Sequence, residues 1–177
     1  MGQVKAKPAA SDREVAKGSS AVRSATAASQ VARFLAKFDP KVASLIRGCR
    51  RELRRQLPTA IELVYDNYNF FVIGYASTDR ASDCIVSLAA AANGVALSFY
   101  YGSRLKDPDG LLQGTGRQNR YIRLEAANVV RAPAVRRLIR AAADAGKNRL
   151  PRTGYGRTII KSISKKQRPR RKKEHSA

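Results

Sequence analysis

From residue 29 to residue 57, apolar side chains recur at helical spacing. In "SQVARFLAKF", Val31, Phe34, Leu35 and Phe38 fall on one face, which predicts a short amphipathic helix with Ser29 as its N-cap. Asp39-Pro40 reads as the N-cap and first-turn proline of a second helix. That helix carries Val42, Leu45, Ile46, Cys49 and Leu53 on one stripe, and Lys41, Arg47, Arg50, Arg51, Arg54 and Arg55 around the rest. Pro58 stops it, and the period then switches to two. "IELVY", "FFVIGYA", "CIVSLAAAA", "VALSFYY" and "NRYIRLE" read as strands. Asn93-Gly94 between the third and fourth predicts a type I′ hairpin turn. In the fifth, Ile122 and Leu124 alternate with Tyr121, Arg123 and Glu125, so one sheet face is buried and the other wet. A last helix follows Pro133, with Val135, Leu138, Ile139 and Ala142 inward, Arg136, Arg137 and Arg140 outward, and Gly146 as its stop.

The order helix, strands, helix predicts an α+β domain, an antiparallel β-sheet with helices packed on one face. Its expected limits are 29–148. Residues 1–28 are rich in Ala, Ser and Lys and predict a disordered N-terminal tail. Beyond Lys147 periodicity fades, and 149–177 reads as a basic disordered C-terminal tail. A chain of 177 residues holds one such domain, not two. Cys84 to Ser103 runs twenty residues without a charge, but the Asn-Gly at its centre and its alternating halves favour a hairpin over a membrane span. The N-terminal stretch has no apolar core of a leader, which places the chain in the cytoplasm with no membrane partner.

Charge sharpens the picture. Thirty-five Lys and Arg oppose 13 Asp and Glu, a net charge of +22, and half of the excess lies beyond residue 146. An anionic partner is the first expectation. The single histidine, His175, excludes a histidine triad or multi-histidine metal site, and two cysteines 35 residues apart, Cys49 and Cys84, form no zinc or redox motif. They read as buried free thiols, and neither a catalytic set, a metal site nor a cofactor is expected.

The glycine-rich stretch "DPDGLLQGTGRQNR" matches neither phosphate-binding fingerprint. Leu111 stands where a P-loop needs its first glycine, Asn119 where a dinucleotide loop needs its third, and a strand follows instead of a helix. It reads as turns. Gly114, Gly116, Arg117, Gln118 and Arg120 nonetheless stay candidates for a ligand or anion nest, as do Tyr65, Asp66, Asn67, Tyr68 and Asn69, which crowd two aromatics and hydrogen-bonding groups between strands. In the tail, Lys165, Lys166, Arg168, Arg170, Arg171, Lys172 and Lys173 are candidate phosphate contacts of the sequence-independent kind.

"ELVYDNYN", Ser82-Asp83, "DPDGLLQGTGRQ" and "RYIRL" together give the region from about Asp39 to Gly146 a resemblance to the YdhG-like domain family, whose members are mostly of unknown function. The resemblance implies a compact frataxin-like α+β domain, and one relative is described as an intracellular iron chaperone. Iron held as in frataxin needs an exposed ridge of oxygen ligands, whereas Glu62, Asp66, Asp79 and Asp83 are scattered and the first long helix is arginine-covered. The expectation is a non-enzymatic module that binds a small ligand or protein through the glycine loop and the wet sheet face. The alternatives are nucleic-acid association through the basic tail and, by resemblance, iron delivery.

Overall fold

The computed structural model describes residues 27–172. The fold is α+β: one open six-stranded sheet with three helices on one face. Helix α1 (residues 27–36) is already helical at 27, so Ser29 lies inside it and is not its cap. Its apolar face is buried as expected, with Phe34 and Phe38 tilted against Phe71 at centroid distances of 5.9 and 6.1 Å, a favourable aromatic geometry. Helix α2 (Pro40–Gln56) starts where the sequence says, the Asp39 carboxylate accepting from the Lys41 amide at 3.0 Å. Ile46, Cys49 and Leu53 are fully buried on its inner stripe, and Val42 and Leu45 pack at the margin. Helix α3 (Pro133–Asp144) buries Val135, Leu138 and Ile139.

Five predicted strands appear as β1 (Ile61–Asp66), β2 (Phe71–Ala76), β3 (Cys84–Ala91), β4 (Gly94–Phe99) and β5 (Arg120–Leu124). They pair antiparallel in chain order. The β3–β4 turn departs from expectation. Ala91 pairs with Gly94, so Ala92 and Asn93 make the turn, and among the described residues no non-glycine has a positive φ. A type I′ turn needs positive φ at both central residues and is therefore absent.

The larger correction concerns the C-terminal region. The described part of the predicted tail 149–177, residues 149–172, is not featureless, because β6 (Thr158–Ile163) adds to the free edge of β1 in parallel, and the sheet order is β5-β4-β3-β2-β1-β6. The sheet is thus mixed, not antiparallel, and the folded unit extends well past residue 148. The strand is pinned before it begins. Gly156 lies so close to Ala60 that an added Cβ would sit 1.6 Å from the Ala60 carbonyl oxygen. The Gly156 amide donates to Pro58 O at 2.8 Å, and the Glu62 amide to Arg157 O at 2.9 Å. The predicted N-terminal tail, apart from residues 27 and 28, lies outside the described residues.

Alternation on these strands places Val64, Ile73, Leu88, Leu97 and Ile122 in the core beneath the helices. Along β1 the same face carries Glu62 and Asp66, both about 1% exposed. The opposite face of β2–β5 is open.

If the close approach at residue 156 sets the position of β6, Gly156→Ala destabilises the fold by about 1–3 kcal/mol, the usual cost of overpacking. Urea unfolding measures this directly. In limited trypsin digestion, the protected fragment then runs through Lys161 in the native chain and ends earlier in the variant.

Candidate functional site

The glycine segment closes on itself. The Arg120 guanidinium donates to the carbonyls of Gly116 and Asn119, the Ser103 amide bonds Gln118 O at 2.9 Å, and Gln113 exchanges backbone hydrogen bonds with Tyr121. Gly114, with φ +102°, supplies the left-handed step; Gly116 does not. The Arg120 cation therefore already has backbone acceptors, which fits a turn better than an anion nest. Arg117 is exposed and has no hydrogen-bond or ion-pair partner among the described residues. Gln118 borders the open sheet face.

The "YDNYN" segment is occupied by the chain's own C-terminal stretch. Asp66 receives Lys37 from the end of α1 on one oxygen and Arg170 at 3.2 Å on the other. Arg170 also donates to the carbonyls of Asn67 and Asn69, and its guanidinium lies 5.9 Å from the Phe38 ring. Ser164 and Arg168 amides bond Asp66 O and Tyr68 O, both at 2.9 Å. The Gln167 side chain donates to Asp66 O at 3.0 Å, and Ser162 donates to the Asn67 side chain at 2.9 Å. Arg168 covers the half-exposed Tyr68 ring. Tyr65, half-buried on β1, has its phenol raised above the ordinary range by burial. These residues form the socket of an internal strap.

This overturns part of the basic-tail reading. Arg170 is buried, and Arg171 donates to Phe38 O and Ala36 O at 3.3 and 3.2 Å, so neither side chain is a free phosphate contact. Lys165, Lys166 and Lys172 remain solvent-facing, and Lys173 lies outside the described residues.

At the other end of β1, Glu62 organises α2. Arg50 grips its carboxylate with two bonds of 2.9 and 2.7 Å, Arg54 adds one of 2.8 Å, and the Thr158 hydroxyl of β6 donates at 2.7 Å. Burial alone would raise the Glu62 pKa. The bonds and charge of Arg50, with Thr158 and Arg54, outweigh burial and hold it below the ordinary carboxylate value.

Elsewhere in the helix layer Arg55 and Arg137 pair with Glu52 and Asp109, but several arginines are unpaired. Arg47 and Arg51 on α2, Arg131 just before α3, and Arg136 and Arg140 on α3 are exposed and have no hydrogen-bond or ion-pair partner for their side chains among the described residues. They line two grooves. The first, about 540 Å³, is walled by Arg47, Arg50, Arg51, Arg54, Arg55 and Tyr155. The second, about 580 Å³, lies between α2 and α3 and takes Arg55, Arg131, Arg136 and Arg140. Arg55 belongs to both, so the two merge into one cationic surface. Among the described residues, the only carboxylate lining either groove is Glu52, which is buried and paired with Arg55 at 3.1 Å. The sequence displayed both arginine-rich helix faces but not their adjacency, and gave no sign of Tyr155, which stands in a stretch read as tail.

The open sheet face forms a third groove, about 580 Å³, with a floor of Ser87, Ala89, Ala96 and Ser98 and walls that include Phe70, Tyr100, Tyr121 and Arg123. Burial pushes the thiols of Cys49 and Cys84 up to about 11 and about 12; both are free. Such thiols stay protonated near neutrality and make poor nucleophiles. Among the described residues, no group of three or more His, Cys, Asp or Glu is placed to hold a metal ion, and no helix is long and apolar enough to cross a membrane.

Comparisons of the chain with family models, with curated proteins and with solved structures return no match.

Two variants test the two carboxylates of β1. Glu62→Gln leaves Arg50 and Arg54 without their counter-charge and costs about 3 kcal/mol near neutral pH. Because the fold holds Glu62 below its ordinary pKa, the unfolded chain takes up a proton first as the solution is acidified. The stabilisation is complete above roughly pH 5 and fades as pH falls through the lowered pKa. Thermal melts from neutral to acid pH show a steeper decline for the native chain than for Glu62→Gln. Arg170→Ala acts elsewhere: hydrogen exchange at the Ser164 and Arg168 amides accelerates, while the β2–β4 amides keep their protection.

Proposed function

We propose that this chain is a non-enzymatic, YdhG-like binding module of the cytoplasm whose partner is nucleic acid, engaged through its phosphates by the arginine surface of α2 and α3. The observation that carries this reading is the confluence of two arginine-lined grooves in which five exposed guanidinium groups lack protein partners among the described residues. A guanidinium fork matches phosphate geometry and stays charged at any physiological pH. Concentrating such groups on one face, in a chain of net charge +22, raises the local density of a polyanion and its rate of encounter. Two other arginines of α2 are already matched to Glu62. The surplus is therefore what remains after the fold's own ion pairs are complete.

The strap lysines add to this surface as secondary contacts, so the basic C-terminal segment assists the binding without carrying it. Raised thiol pKa values and ion-paired β1 carboxylates support a binding role over a catalytic one. The iron role implied by the family resemblance has less support, because Glu62 and Asp66 are committed to Arg and Lys partners. A second reading rests on the open sheet groove, whose small-residue floor, aromatic walls and Arg123 suit a small planar ligand bearing an anionic group.

Titration of random-sequence DNA against salt discriminates these readings. About five phosphate contacts give log K a slope near −4 to −5 against log salt concentration. Replacing Arg47, Arg51, Arg136 and Arg140 with Ala flattens the slope by about 3 to 4, as fewer counterions are released. Replacing Lys165, Lys166 and Lys172 instead produces the smaller change. The opposite ranking moves the interface to the strap.

A further inference from the structure

Tyr155 is 92% exposed, whereas Tyr68, Phe70, Tyr100, Tyr101 and Ile163 range from 39 to 53%. An aromatic ring left that open forgoes most of the burial that normally stabilises it, and this one makes no ring–ring or ring–cation contact among the described residues. Its backbone is nevertheless held. Gly154 takes φ +94°, and Gly156 packs against Ala60 while donating to Pro58 O. Immediately beyond, the Arg157 carbonyl accepts the Glu62 amide. A loop fixed on its C-terminal side thus presents a bare ring to solvent, and the ring borders the groove lined by Arg47, Arg51 and their neighbours, with no carboxylate in its lining among the described residues.

Phosphate recognition needs only the arginines, so the ring calls for a flat apolar counterpart beside the phosphates. A nucleic-acid base that is not already stacked in a duplex has that shape. We infer that the arginine surface takes single-stranded nucleic acid, with Tyr155 stacking on an unpaired base while Arg47 and Arg51 hold flanking phosphates. This rests on the nucleic-acid reading above and deepens it by naming the form of the partner. In duplex DNA the base faces are covered by neighbouring pairs, so Tyr155 contributes nothing to duplex affinity. A polyanion without bases gains nothing from it either.

The chain contains no tryptophan, which makes Tyr155→Trp a single fluorescent reporter at the residue in question. The full-length variant is titrated with oligo(dT) of about 15 nucleotides, a length within the range of single-strand sites, with a duplex of equal length, and with heparin. Saturable quenching of the variant's indole emission by oligo(dT), with none by the duplex or heparin, is the expected result. In parallel, Tyr155→Ala weakens oligo(dT) binding by about tenfold, leaves duplex and heparin binding within about twofold, and Tyr155→Phe restores the lost affinity. An unchanged urea midpoint in Tyr155→Ala confirms that folding is not the cause.

Salt-dependent binding of all three probes without quenching, or an equal loss for all three in Tyr155→Ala, overturns the stacking inference and leaves the phosphate-binding surface standing. Indole emission already blue-shifted in the free Tyr155→Trp variant overturns it too, because another part of the chain would then cover the ring. If none of the three probes binds at low salt, the phosphate-binding reading falls together with the inference.

Discussion

The structure depends on the burial of two carboxylates on one short strand. Glu62 and Asp66 both face the helix layer from β1, where an unpaired charge would cost several kcal/mol. Each is compensated by cations brought from other elements. Arg50 and Arg54 of α2, with Thr158 of β6, satisfy Glu62; Lys37 just after α1 and Arg170 of the strap satisfy Asp66. Between them stands Val64, fully buried. Both helices preceding the sheet and the segment that ends the described chain are thereby tied to a single strand. Apolar packing supplies the bulk of the driving force, but the hydrophobic term itself has no direction. The bonds to the carboxylates have one.

That constraint has a consequence for the surface. Once α2 is oriented so that Arg50 and Arg54 reach Glu62, Arg47 and Arg51 are turned outward. The helix cannot satisfy its core charge without displaying the rest of its arginines. Helix α3 repeats the pattern with Arg136 and Arg140 beside the α2–α3 groove, and Arg55 joins the two grooves. Docking of β6 against β1 adds the last piece, since the close contact of Gly156 with Ala60 that leads into the strand also raises Tyr155 beside the α2 arginines. Stability and display are thus parts of one arrangement, and the proposed binding surface follows from how the core charges are neutralised.

The glycine segment shows the reverse relation between sequence and role. Its composition suggests a ligand cradle, yet the Arg120 side chain already binds the loop's own carbonyls. Likewise, "YDNYN" offers hydrogen-bonding groups that the strap consumes. In both places the chain is its own ligand. A local count of donors and acceptors cannot reveal that, because the partner lies four residues away in one case and about a hundred in the other.

Local regularity made much of the architecture legible. Apolar spacing in "KVASLIRGCRRELRRQ" and the Asp39-Pro40 start determine α2, and β-branched and aromatic runs, with alternation clearest in β4 and β5, mark β1 to β5, because both depend on which side of an element meets water. By itself the sequence therefore established the α+β class, the buried stripes, the pairing of β3 with β4 and the cationic character. It did not establish β6. "TIIKSI" lies at a sheet edge, its first half only half-buried and the rest exposed, so its pattern is weak, and a parallel partner across about a hundred residues leaves no turn signature. Nor could spacing show which arginines would be neutralised, since Arg47, Arg50, Arg51 and Arg54 are alike as residues and differ only in their direction from Glu62. Tertiary structure alone decided which charges are neutralised in the core and which remain at the surface, because Coulomb energy and desolvation depend on distance in space and not on separation along the chain.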